Sequence, residues 1–308
     1  PARFGGRLSS ILEINMKDGN MKEWTAEGGL GLISGKMTIQ GPLKKDQTSI
    51  LISGRRTWLD LLKEPIVNAL ENKIDFDGNG NYYFYDINAK INHKFSDKDR
   101  IYLSFYTGKD NFFGELNDET LDQFEDGMSS NAQTQFGLSW QNTTGCIRWT
   151  HIINTKIFAN TSLIYGRYNF DNIIRTNNEY LSEGEVALIE QSDYLYRSGI
   201  EDFGIKIDLD YNLNSKHNFK FGGSYIKHKF FPGFMEFFAD YQNFSADTTI
   251  TFSETLRPDE GYLYIENIYN INPRLSTNIG IHYGFFNINN VLYQSPEPRF
   301  AMRYLINE

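Results

Sequence analysis

The most constraining feature of this chain is a strict alternation of apolar and polar residues. In GIKIDLDY (204–211), Ile205, Ile207, Leu209 and Tyr211 fall on one side and Lys206, Asp208 and Asp210 on the other. In RLSTNIGIHYGFF (274–286), Leu275, Thr277, Ile279, Ile281, Tyr283 and Phe285 oppose Ser276, Asn278, Gly280, His282 and Gly284. KIFANTSLIYGRY (156–168) sets Ile157, Ala159, Thr161, Leu163 and Tyr165 against Asn160, Ser162 and Gly166. Period-two runs are strands with one greasy and one wet face. Strands of soluble sandwiches are about five or six residues long, whereas these runs reach about ten, enough to cross a bilayer at a tilt. The aromatic content of 15% suits a pleated surface. No stretch approaches the ~18 apolar residues of a membrane helix, as expected when only every second residue must be greasy.

Turn spacing sharpens this. Short polar turns are read at 44–47, 96–99, 154–156, 213–216 and 272–274. Between them lie long segments at 63–81, 113–132, 171–199, 231–259 and 287–296. Tight turns alternating with long loops are the asymmetry of an outer-membrane barrel. The pattern predicts an all-β, antiparallel transmembrane β-barrel chain of about twelve strands. The first strand starts near Trp24, the first hairpin turns at Ser34–Gly35, and each short turn follows an even-numbered strand. A further short turn is expected at 305–308.

Net charge is −9 with no basic stripe, which argues against nucleic acid as a partner. The single cysteine, Cys146, excludes an intrachain disulfide. The five histidines lack metal-ligand spacing, and no nucleophile, base or phosphate-loop motif converges. No enzymatic activity is therefore expected.

Three stretches are candidate sites. DFDGNGNYYFYD (75–86) fits a calcium-loop template, with Asp75, Asp77 and Asn79 at positions one, three and five, Gly80 at six and Asp86 at twelve. Asp stands where that template prefers Glu, and the same residues also read as a polar loop tip running into a strand. Arg55, Arg56 and Trp58 end the third strand near the outer rim. They could grip an anionic ligand, or serve as rim charge and an aromatic girdle anchor. GELNDETLDQFEDGMSS (114–130) is acidic throughout and reads as an external loop with room for a short helix.

PARFGGRLSSILEINMKDG (1–19) carries an aromatic-glycine turn, Phe4, Gly5, Gly6 and Arg7, leading into Leu8–Ile14. It resembles the end of the plug domain of TonB-dependent outer-membrane receptors, in the form seen in Bacteroidetes. Residues 27–62 resemble that family's first barrel strands, 81–106 a fourth and fifth, and 295–308 a mid-barrel strand. The resemblance implies the end of a plug at 1–19 and the N-terminal part of the barrel at 20–308. A barrel wide enough for large solutes leaks unless its lumen is filled, which is the plug's task. Such receptors use about 22 strands. A half-barrel would leave an unpaired edge in lipid, so the chain is expected to be a piece of a longer protein. The family further implies import of a scarce solute, held by external loops and plug and driven by the TonB complex of the inner membrane. Outer-membrane lipid, and a SusD-like surface lipoprotein, are the other partners it suggests. The alternative is a receptor-derived barrel serving as a structural subunit of an outer-membrane assembly.

Overall fold

The computed structural model describes residues 1–308 apart from 7–10, 14, 59, 62–77, 121–127, 183–184, 242–243, 252–253 and 307–308. The strands are β1 Thr25–Leu30, β2 Ser34–Lys44, β3 Thr48–Thr57, β4 Gly78–Lys94, β5 Asp99–Thr120, β6 Met128–Ile152 and β7 Ile157–Ser182. They continue with β8 Glu185–Asn212, β9 His217–Tyr241, β10 Phe244–Thr251, β11 Asp259–Asn272, β12 Leu275–Ile288 and β13 Val291–Tyr304. All pair antiparallel in one sheet. Twelve follow one another along the path from β1 to β13; the thirteenth, β10, lies off this path and pairs with β9. The path therefore carries the twelve strands that alternation predicts, and β10 is a ribbon inside the segment read as the loop 231–259.

All five short turns lie where the sequence puts them, and each follows an even-numbered strand of the path. Side-chain caps fix several of them. Asn154, Asn214 and Asn272 each accept two backbone N–H bonds from the residues that follow. At the β4–β5 turn Ser96 plays that part. There, the hydrogen bond from His151 holds the Asp99 carboxyl below its ordinary range.

Two expectations need correction. The first hairpin turns at 31–33, because Leu30 pairs with Gly35 and so Ser34–Gly35 already belongs to β2. The long segments are mostly not loops. β5 and β6 stay in register up to Thr120↔Ser130, and β7 and β8 pair up to Ser182↔Glu185 with one register shift between Tyr180 and Leu181. Residues 114–120 are strand rather than helix. β12 and β13 join through Asn289 and Asn290, with φ of 50° and 64°. That pair of left-handed residues is what a tight two-residue hairpin turn demands. Polarity alone does not break a strand: a hairpin wet on both faces still satisfies its backbone by pairing. Of the segment 63–81, the described part, from Gly78, is the start of β4.

The sheet is inverted relative to a soluble domain. Leu263, Ile279, Phe203, Phe300 and Met302 are exposed, at 63%, 55%, 61%, 69% and 64%. Lys90, Asn92, Glu266 and His282 are buried, at 5%, 2%, 3% and 1%. These two sets occupy opposite faces of the same strands. That is the arrangement for lipid outside and a polar lumen inside. Among the described residues, no helix is long and apolar enough to cross a membrane.

Candidate functional site

The polar face is covered where the N-terminal segment crosses it. Two groups of contacts hold that segment down.

The first group is formed by β8, β11, β12 and β13. Ala2, fully buried, donates its backbone N–H to Glu266 at 2.5 Å and accepts Nδ1–H of His282 at 2.9 Å. Because a carbonyl can only accept, that bond places a proton on Nδ1. Arg3 reaches Asp208 at 3.1 Å, and Asp208 also accepts the Tyr264 hydroxyl at 2.8 Å. The Gly6 N–H goes to Glu297 at 3.1 Å. Asp208, Tyr264, Glu266, His282 and Glu297 come from four strands. The registers Glu266↔Gly280 and His282↔Glu297 bring the last three strands together on one face.

The second group lies on β3 and β4. Lys90 Nζ pairs with Asp18 at 2.6 Å, donates to the Met16 carbonyl at 2.8 Å, and stands 5.3 Å from the Tyr102 ring centre. Gly19 lies against the Ile50 carbonyl, where a Cβ would overlap it. Met21 accepts the Asp46 N–H at 3.1 Å.

The aromatic-glycine turn behaves as its sequence suggests. Gly6 has φ of +69°, a conformation costly for side-chain-bearing residues. Gly5 lies so close to the His282 imidazole that a Cβ would overlap the ring. Phe4 donates its N–H to Pro1 at 3.3 Å, and the Arg3 guanidinium lies 5.6 Å from the Phe4 ring centre. Arg7 lies outside the described residues. A cavity of about 350 Å³ lies between Gly5–Gly6 and the wall at Glu260, Tyr262, His282 and Gln294. A second, of about 410 Å³, lies between Met16 and Asp18 and the wall at Lys90, Tyr106, Cys146 and Arg148.

The other sequence candidates do not assemble into one site. Arg55 pairs with Asp86 at 2.7 Å and lies 4.8 Å from the Phe84 ring centre. Arg56 pairs with Asp60 and lies 5.6 Å from the Tyr83 ring centre. As neighbours in an extended strand, the two arginines point to opposite faces and do not grip one ligand together. Trp58 donates Nε1–H to the Leu32 carbonyl at 3.0 Å and packs against Gly35, so it anchors the first hairpin. Of the calcium template, Asp75 and Asp77 lie outside the described residues. Asn79 and Asp86 both belong to β4, roughly 23 Å apart at the rise of an extended strand, so they do not close round a single ion. Sequence reading did not single out Lys90, Asp208, Glu266, His282 or Glu297. Their only signal is a charged or imidazole group in phase with the wet face of a membrane-length strand.

No protein-family model matches the chain, and no curated protein does. Solved structures do match. The siderophore receptor PiuA from Acinetobacter baumannii superposes with a TM-score of 0.51 at 11% identity, over 92% of this chain and 46% of PiuA. It carries the fold of an outer-membrane β-barrel. The toluene transporter TbuX of Ralstonia pickettii follows with a TM-score of 0.37 at 9% identity, over 89% of this chain and 72% of TbuX. The yersiniabactin uptake receptor FyuA from Yersinia pestis has a TM-score of 0.34 at 9% identity, over 94% of this chain and 52% of FyuA. The chain thus spans about half the length of PiuA. With that fold and an apolar outward face, its place is the bacterial outer membrane.

Proposed function

We propose that this chain forms the end of the plug and the first half of the barrel of a TonB-dependent receptor that imports a scarce solute. The observation that carries this reading is the N-terminal segment lying on the polar face and bonded to strands at both ends of the sheet, from Lys90 on β4 to Glu297 on β13. A permanently open pore would not need a segment pinned across its lumen. The contacts are polar and charged, so they can be exchanged for water when the segment is pulled, without exposing an apolar core. Phe4, Gly5, Gly6 and Arg7 are the plug-to-wall turn in this reading, as the Bacteroidetes-type resemblance implies. The edges β1 and β13 each need a neighbour in lipid. In this reading other strands meet that need, taking the wall to about 22 strands. The solute enters from the side of the long hairpins, where a SusD-like lipoprotein would sit, and the TonB complex acts from the opposite side.

The test is solute uptake by cells carrying the full-length protein, with and without TonB. Uptake that vanishes without TonB supports the reading. Uptake indifferent to TonB overturns it in favour of a passive channel, and no uptake together with a full-length sequence that has no TonB box overturns it in favour of a structural subunit.

A further inference from the structure

The registers of β5, β6, β7 and β8 run unbroken from the row Tyr106–Thr144–Gly166–Asp202 to the row Leu116–Thr134–Thr176–Ser192. Every residue of these four strands up to the second row can therefore be assigned to the luminal or the outward face. Below these rows the outward face is apolar, as at Leu103, Ile147, Leu163 and Ile205. The luminal face there is polar, as at Ser104, Arg148, Ser162 and Lys206.

Above Tyr106 the polarity changes sides. The outward face now carries Lys109, Arg167, Asp171, Arg175, Asp193 and Arg197. Arg197 pairs with Asp171 at 3.1 Å, and Arg175 with Asp193 at 3.2 Å. The luminal face carries Phe112, Phe136, Trp140, Phe170, Tyr194 and Tyr196. Their rings meet across strands, with centres 5.6 Å apart for Phe112–Phe136 and 6.1 Å for Phe170–Tyr196. Between those two rows the luminal face has no lysine or arginine on any of the four strands; its carboxylates are Asp110 and Asp202. Both are already engaged, Asp110 by the Tyr82 hydroxyl at 3.0 Å and Asp202 by His228 at 2.7 Å.

We propose that this aromatic inner face is the solute-binding wall, and that it takes an uncharged solute whose apolar ring faces are edged with hydroxyl groups, an oligosaccharide being the simplest kind. Charged residues facing outward mark hairpins that have left the lipid. Aromatic rings turned inward at the same level offer flat faces for stacking. On these four strands an anionic chelate would meet two carboxylates and no cation, and Arg55, on the luminal face of β3, is held by Asp86 at 2.7 Å. A plain hydrocarbon would make no use of Ser198 and Asn142, or of the lone pairs of Asp110 and Asp202 that Tyr82 and His228 leave open. A hydroxylated ring serves both, since its faces stack and its rim donates to oxygen atoms that keep free lone pairs. The wall is also continuous with the plug dock. His228 stands 3.4 Å from Glu260, which lines the cavity at Gly5–Gly6.

This inference rests on the uptake reading, and the two fail separately. Binding is measured on purified full-length protein in detergent, by tryptophan fluorescence and calorimetry. The probes are a panel of neutral oligosaccharides of three to seven sugars, and a ferric catecholate chelate as the anionic comparison. The expected result is binding by a neutral oligosaccharide, weakened about tenfold or more by Trp140→Ala and by Phe170→Ala, and unchanged by Arg197→Ala on the outward face. Variants whose heat-modifiable migration is lost are replaced by Trp140→Leu and Phe170→Leu, which keep apolar bulk but remove the ring. The inference is overturned if the anionic chelate binds and the neutral panel does not, if no member of the panel binds, or if the ring variants bind as the parent does. None of these results depends on TonB, so loss of TonB dependence in uptake overturns the uptake reading alone.

Discussion

Replacing Lys90 should loosen the N-terminal segment without unfolding the wall. Lys90 is 5% exposed and makes two charge-assisted hydrogen bonds to that segment, to Asp18 at 2.6 Å and to the Met16 carbonyl at 2.8 Å. Hydrogen bonds involving a charged group contribute about 1.5–3 kcal/mol each. The Asp18 side chain is 40% exposed, so its share is screened and belongs near the bottom of that range. Lys90→Ala is then expected to cost the docked state about 3–4.5 kcal/mol, raising the undocked population roughly a hundred-and-fifty- to two-thousand-fold. In full-length protein with Cys146→Ser, a nitroxide at Lys17→Cys reports this directly, because Lys17 is exposed beside both contacts. Lys90→Ala should convert a slow spectrum into one with a clear mobile component. Lys90→Arg should restore most of the slow component. Lys220→Ala, which removes the 3.5 Å pair with Asp210, should change nothing. An unchanged spectrum in Lys90→Ala would refute the reasoning, since among the described residues between Ile11 and Gly19 no other contact is to a buried charge.

Other perturbations reach the remaining elements. Gly19→Val puts a side chain into the Ile50 carbonyl and should release the linker as Lys90→Ala does, read by the same label; an immobile label would count against close approach there. Ile279→Lys places a charge on the outward face at mid-strand and should cost about 2–4 kcal/mol of folding stability in lipid vesicles, measured by urea titration, whereas Asn278→Lys on the luminal face should cost far less. At the β4–β5 turn, the Asp99 carboxyl lies below its unfolded value because of its bond to His151. Its contribution is therefore complete above the unfolded carboxylate range, about pH 4, and is lost as pH falls through the lowered folded value. The Trp149 indole donates to Asp99 at 3.2 Å, so its fluorescence, isolated by difference against Trp149→Phe, should hold steady down to about pH 4, change below it, and lose that change in Asp99→Asn.

The strands and their phase were legible because alternation is a local signal and membrane-length runs repeat it. Ile205, Ile207 and Leu209 could face only one way once Lys206 and Asp208 faced the other. Turns capped by Asn154, Asn214 and Asn272 were legible for the same reason, since each acts within three residues of itself. The outer hairpins were misread as loops because Asp171, Asn172 and Asn177 look like loop residues. Their backbone partners on β6 and β8 are set by register that no local pattern displays. The dock was hidden for a related reason. Ala2 meets Glu266 and His282 across more than 260 residues of chain, and nothing in either stretch names the other. Arg55 and Arg56 failed as a pair on a point the sequence already contained, since adjacent residues of a strand diverge. The swap of aromatics to the inner face above Tyr106 becomes visible only when the four registers are laid side by side.

The most direct test substitutes cysteine one position at a time from Ile205 to Asp210 in full-length protein lacking Cys146, in intact outer membranes. A small membrane-impermeant thiol reagent should label positions 206 and 210 and spare 205, 207 and 209, with 208 labelled only weakly because Arg3 covers it. Labelling of all six alike, or with a helical period, would show that these strands do not divide lipid from a watery lumen.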